Sequence, residues 1–463
     1  MTFEAGFGRA DITPQVGTSL SGFIFRENKP STAVDDPLFV CVLAVRHQNQ
    51  INLLVSYELL GIGNELYHLI VAELQQTFGD QLPEENCVLT ATHSHSGPPT
   101  VHLDGEADPD PIYWQKVVRQ TVHAAREAID HLTPSTLHIS SLHFPGLTYN
   151  RRAILVDGRV TMALEPDAPL ISRGPVDDQA TLLVFRNPDG ENIGGIIHFA
   201  SHGVAVCTQS IGSDIPGQIA SQLSEILGAP CLYLQGAAGD LNPTVVSTQR
   251  DEMYPWVNNW MAKARLMTGL LQPVNVDPTG FKTSILPLDY APLPDRDSTL
   301  ERITGLEHIA QGDVTSPQVQ EAIQLLGSIM NVKPGETPEA AKAAYCAGTL
   351  AGAERRTLAA IERGRSLAPC PLNLSTWHFG ELTLAFIAAE IFASTGLKLR
   401  ALDKDRMILP VTYASPLVGY IPDEYSIDKG GYEVANGWQF YGHPAPFIRH
   451  AETNVIQAIR KIL

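Results

Sequence analysis

Three times along this chain an apolar run of strand length is followed by a helical pattern and then by a second apolar run. That recurrence limits the possible folds more than any other feature. The first copy opens with INLLVSYELLG (51–61) and continues in ELYHLIVAELQQTFG, where Leu66, Ile70, Leu74 and Phe78 recur one helical turn apart; it closes in CVLTATHSHSGPP. The second opens with NIGGIIHFASHGVAV (192–206). Its helix is SDIPGQIASQLSEILG, with Ser213 or Asp214 as N-cap and Gly228 as stop, and CLYLQGAAGDLNP follows. The third runs from LTLAFIAAEIFASTG (382–396) through a short helix over 396–403 to MILPVTYASPLVGYIP. Two strands joined by a helical crossover are parallel neighbours. The expectation is therefore an α/β fold with a largely parallel or mixed sheet. Residues 136–190 alternate as a β-meander would, in TLHISSLHF, RVTMAL and ATLLVF. Residues 290–371 read as a helical insertion on a single domain spanning 1–463.

The polar chemistry falls where the apolar runs end: Glu58, His93 and His95, then His202 and Asp240, then Glu390 and Tyr420. In open α/β sheets, ligands sit beyond the carboxyl ends of the strands. A loop histidine pair ordinarily satisfies backbone groups. In ATHSHSGPP, however, the strand-end position and the distant His202 and Glu390 favour a metal, and imidazole is a common zinc ligand. On the residues alone, both His93 and His95 read as ligands. Glu390, in IAAEIFAS, is the most diagnostic residue, because a carboxylate in an apolar stretch must be paired, protonated or metal-bound. Asp240, in GAAGDLNP, reads either as the orienter of a ligand histidine or as a turn residue. Tyr420 by itself is a strand-end aromatic. Arg151 and Arg152, in TYNRRAIL, are surface charges or partners of a substrate carbonyl oxygen or carboxylate. The acidic loop LDGEADPDPIY (103–113) follows the histidines closely enough to cover a site. Gly6-Phe7-Gly8 lacks the third glycine of a nucleotide loop.

A net charge of −18, from 50 acids against 32 bases, argues against nucleic acid and against an anionic membrane surface as partners. No apolar run approaches the ~18 residues of a membrane span. The start, MTFEAGFGRADITP, lacks a secretory pattern. Six cysteines without a CxxC read as reduced thiols, and with them a cytoplasmic location. An oligomer is compatible with all of this.

Several segments, in order, resemble the catalytic domain of the neutral (non-lysosomal) ceramidase family. They are AGFGRADITP, ATHSHSGP, TYNRRA, FASHGV, GSDIPG, GAAGDLNP, IAAEIFASTG and GYIPDEYSIDKGGYE. The resemblance implies a zinc held by His93, His202, Glu390 and Tyr420. It makes His95 an acid–base residue beside the metal and sets Arg151 near the substrate. Asp214, Asp240 and Asn242 fall in its supporting or substrate-contacting motifs. The family's GDVSPN serine is Asn242 here, and Asn cannot form an acyl-enzyme. No counterpart of the immunoglobulin-like C-terminal domain of the large ceramidases is expected within residues 1–463. The expected activity is thus zinc-dependent hydrolysis of an amide or ester bond by metal-activated water, on a small-molecule or lipid-like acyl substrate. Ceramide specificity does not follow from such a site. The alternatives are hydrolysis of a lactone or carbohydrate derivative, and a non-catalytic metal-binding relative.

Overall fold

A computed structural model describes residues 3–47, 50–162, 170–313 and 339–463. Strand β1 (Phe3–Asp11) has two buried faces. Phe3, Ala5 and Phe7 point into one core, and Gly6, Gly8 and Ala10 point the other way. Around it lie β2 (Phe39–His47), β3 (Gln50–Tyr57), β4 (Cys87–Ala91), β5 (Thr133–His143), β6 (Gln179–Arg186), β7 (Asn192–Phe199) and β8 (Cys231–Gln235). Their order is β8-β7-β6-β5-β1-β2-β3-β4, and a short β9 (Gln272–Val274) also pairs with β5. Helices α1 (Asn64–Phe78), α2 (Pro111–Asp130), α3 (Asp214–Leu227) and α4 (Arg250–Gly269) cover one face, packing on the even-numbered side chains of β2 and β6.

The other face meets a second sheet, β10 (Thr279–Leu288), β11 (Cys370–Phe379), β12 (Leu382–Ile387) and β13 (Met407–Val411), in that order. Phe379 of this sheet lies against Phe3, ring centroids 6.3 Å apart. Between β10 and β11 in sequence, α5 (Arg296–Ala310) and α6 (Ala340–Arg363) pack on each other and on Ile24, Tyr432 and Phe440. Helix α7 (Ala393–Arg400) links β12 to β13. Helix α8 (Ala451–Ile462) closes the far side of the second sheet, where Thr376 Oγ1 donates to the Ile462 carbonyl at 2.8 Å. The layers are therefore helix, sheet, sheet, helix.

Each strand–helix–strand unit of the sequence yields one parallel pair: β3–β4, β7–β8 and β12–β13. The other pairings within the two sheets are antiparallel, so the mixed sheet is the alternative that holds. The helix of the third unit starts at Ala393, three residues before the pattern suggested. The expected meander is a different arrangement. β5 pairs directly with β6, while Val160–Thr161 joins Ala153–Leu155 and Leu170–Arg173 in a separate three-stranded sheet. Alternation identifies a strand but not its partner. Of RVTMAL, residues 163 and 164 lie outside the described residues, as do 314–338 of the 290–371 segment. All six cysteines are free thiols. No helix among the described residues is long and apolar enough to cross a membrane.

Gly6 and Gly8 are explained by this layering. A Cβ on either would lie 2.1 Å from a backbone carbonyl oxygen of α2, that of Ala128 or Ala124. Gly8→Ala should therefore cost roughly 1–3 kcal/mol by overpacking, read as a lower denaturation midpoint; an unchanged midpoint would contradict the close approach. Glu58, grouped by sequence with the strand-end chemistry, instead accepts the Phe39 N–H at 2.9 Å. Burial pushes its carboxyl up to about 7, from an unfolded value of about 4.3. The folded state therefore holds the proton more tightly. This contribution to stability is full below about pH 4.3 and is lost as pH rises through about 7. Glu58→Gln keeps the acceptor and removes the titration, so its stability should fall less than that of the wild type between pH 5 and pH 8. Equal slopes would refute the assignment.

Candidate metal centre

All six strands of the three parallel pairs run out on one side, and the site is built from the segments that follow them. Beyond β3 comes the Leu60 carbonyl; beyond β4, His93 and His95; beyond β7, His202. Beyond β8 come the Ala238 carbonyl and Asp240; beyond β12, Glu390; beyond β13, Tyr413. The two histidine loops lie side by side. Ser94 bridges to Gly203, and the His95 N–H donates to the Gly203 carbonyl at 3.0 Å. Only glycine fits at 203, since a Cβ would stand 2.5 Å from the His93 carbonyl oxygen. Gln235, the buried last residue of β8, clamps both loops. It accepts from the Ser201 N–H and donates to the carbonyls of Thr92 and Ser201.

The three imidazoles converge. His93 Nε2 is 2.9 Å from His202 Nε2 and 3.1 Å from His95 Nε2. Each Nδ1 faces a backbone carbonyl: Leu60 for His93 (2.7 Å), Ala238 for His202 (2.9 Å) and Gly22 for His95 (2.9 Å). A carbonyl oxygen only accepts, so each Nδ1 carries the proton and each neutral ring turns a bare Nε2 inward. Burial pushes the His93 imidazole down to about 3. Burial first, then the neighbouring His93, holds His95 and His202 well below the ordinary value. Glu390 Oε2 points at the same spot, 3.4 Å from His93 Nε2 and 3.9 Å from His202 Nε2, and has no hydrogen-bond partner. Its Oε1 accepts from Tyr441 at 2.5 Å. Burial raises this carboxyl to about 7, against Tyr441 and Arg151, which lower it. Lone pairs facing one another in a buried site repel unless a cation lies between them. Imidazole nitrogens with a carboxylate oxygen are donors that suit zinc.

Tyr420 pairs with Glu390 across a two-residue parallel bridge. Its phenol accepts from Arg151 Nη2 at 3.0 Å. Arg151 is fully engaged: Nε donates to Glu433 (2.8 Å), Nη2 also to the Gly239 carbonyl (2.8 Å), and Nη1 to Asn242 Oδ1 (3.3 Å). Arg152 shares Glu433 at 2.5 Å. Burial alone would raise the Glu433 carboxyl, but the two guanidiniums outweigh it and hold it below the usual value. Arg151 thus braces Tyr420, and Arg152 is buried as well, so neither arginine is a surface charge. Asp240 does not orient a histidine. Its oxygens accept from the Ala393 N–H at the start of α7 and from Asn150. Asp214 ties down the chain after His202 by accepting from the N–H groups of Ala205 and Val206.

Sequence reasoning missed Gln235, Tyr413, Tyr441, Glu433, Arg26 and Glu106. Gln235 carried the same signal as the others, a polar residue ending an apolar run. The Tyr413 ring lies 4.2 Å from that of His93, centroid to centroid, yet nothing in VTYAS marks it.

Residues 3–226 match the family described as neutral/alkaline non-lysosomal ceramidase, N-terminal. A neutral ceramidase from Pseudomonas aeruginosa is similar in structure at 17% identity with a TM-score of 0.70, over 100% of this chain and 74% of that one. A ceramidase complexed with C2 gives the same identity and TM-score, over 100% and 75% of the two chains. No curated protein matches the sequence. Residues 3–226 thus match the N-terminal region of the neutral/alkaline non-lysosomal ceramidase family, and the whole chain follows the fold of the neutral ceramidases.

Proposed function

We propose that this protein is a zinc-dependent hydrolase of an amide or ester bond in a small or lipid-like acyl compound, with His93, His202, Glu390 and Tyr420 as the metal ligands. The observation that carries the reading is the convergence of bare Nε2 atoms on an unpartnered Glu390 oxygen. A zinc ion held there would acidify water and polarise a carbonyl oxygen. His95 is the most exposed of the three histidines. Its Nδ1–H goes to Gly22, which leaves a neutral Nε2 that would take a proton from water and return it to the leaving group. Arg151 donates to the Tyr420 phenol and lies 5.9 Å from its ring, and its buried positive charge would favour negative charge growing at the centre. Asn242, bonded to Arg151, is at hand for the substrate without forming a covalent intermediate. Nothing in this reading singles out ceramide.

Elemental analysis of wild type, His93→Ala, Glu390→Ala and His95→Ala tests it, together with a panel of amides and esters. We expect about one zinc per chain, lost in His93→Ala and Glu390→Ala. His95→Ala should keep the metal and lose roughly 10²- to 10⁴-fold in rate. Zinc lost from His95→Ala as well would move His95 into the ligand set. No metal in the wild type after zinc is supplied, or full activity in the stripped protein, would end the proposal.

A further inference from the structure

We infer that Glu106 is a positioning residue for His95, acting through the Ser21–Gly22 peptide. The carbonyls that orient His93 and His202 follow strands of the large sheet, at Leu60 and Ala238. The carbonyl that orients His95 belongs to Gly22, on a loop outside both sheets. The Ser21 N–H of that loop donates to the Gly97 carbonyl at 2.9 Å, and the Ser21 side-chain and Gly22 contacts are made by Glu106, from the acidic stretch LDGEADPDP. One carboxylate oxygen accepts from the Ser21 hydroxyl, and the other accepts from the Gly22 N–H at 2.6 Å. Charge-assisted hydrogen bonds from a carboxylate are the strong ones, so these two contacts fix the Ser21–Gly22 peptide and with it the Gly22 Cα, which carries the carbonyl that faces His95. Glu106 therefore bears on His95 by position, holding the residue whose carbonyl receives the Nδ1–H.

Two further contacts make the arrangement specific to His95. Gly22 has a φ of 99°, and a Cβ there would fall 2.4 Å from the His95 ring, so the loop presses directly on the imidazole. The buried Arg26 donates from Nη1 both to the Ser21 carbonyl (3.2 Å) and to the His95 carbonyl, locking the two segments together. The acidic loop is in turn held by α6. Tyr345 donates to the Gly105 carbonyl at 2.5 Å, and Arg356 pairs with Asp104. The inserted helices thereby reach the proton-transfer group through Glu106 rather than by touching it.

Ring ¹⁵N spectra of histidine-labelled protein, with His95 assigned by its absence in His95→Gln, test this directly. Wild type should show His95 protonated at Nδ1 only. Glu106→Ala should populate both tautomers, and Glu106→Gln, which keeps an acceptor for the Gly22 N–H, should restore the wild-type signals. If Glu106→Ala does not fold, Ser21→Ala, which frees one carboxylate oxygen, should shift the same signals less far. Unchanged His95 signals in a folded Glu106→Ala or Ser21→Ala protein would overturn the inference. A kinetic arm rests on the hydrolase reading: on a substrate that is turned over, kcat should fall roughly 10- to 100-fold in Glu106→Ala at unchanged KM, with recovery in Glu106→Gln. Loss of kcat with no recovery in Glu106→Gln would also count against it. The ring spectra need no turnover, so failure of the hydrolase reading and failure of this one are distinguishable.

Discussion

Three carbonyl oxygens, those of Leu60, Ala238 and Gly22, decide what this centre can be. Each takes the Nδ1–H of one histidine, and so each leaves a bare Nε2 aimed at the same point. Had any of them been a donor, the ring would have presented N–H to its neighbours and the cluster would have been an ordinary hydrogen-bonded one. Instead the His93 and His202 nitrogens face each other at 2.9 Å in a site from which water is largely excluded. Such an arrangement is costly for the protein alone and favourable around a cation.

The fold supplies those carbonyls by bringing three crossover units to a common edge. Two units lie at opposite ends of the large sheet and the third lies in the second sheet. Their carboxyl ends meet because the sheets are stacked and Gln235 sews the first two together. The backbone bends to make this possible. His93 has a φ of 62° and Tyr413 one of 57°, conformations that cost on the order of 1–3 kcal/mol for a residue with a side chain. The His93–Leu60 bond and the Tyr413 ring against His93 hold the first of these in place.

Around the nitrogens lies a second layer in which positive and negative groups are balanced. Glu433 takes both Arg151 and Arg152, and Arg151 passes its remaining donors to Gly239, Tyr420 and Asn242. Removing one member of such a buried network leaves another uncompensated, so its members act as a unit. Asp240, which looked like part of this layer, instead fastens α7.

The sequence by itself determined the three units and the polar residues that end them, among them His93, His95, His202 and Glu390, which the structure brings together. It could do so because strand and helix periods are local, and because a carboxylate or a histidine pair at the end of an apolar run is conspicuous within ten residues. Tyr420 also ends an apolar run, but its place among the metal ligands, like that of Arg151 near the substrate, came from resemblance to a family. Tertiary structure alone decided that β5 pairs with β6, that Gly6 and Gly8 make room for a helix, and that Asp240 serves α7. It alone brought Gly22, 73 residues from His95, to that ring, and Glu106 to the Gly22 N–H. Pairing and hydrogen-bond partners are set by which surfaces meet, and that depends on the whole chain being packed at once.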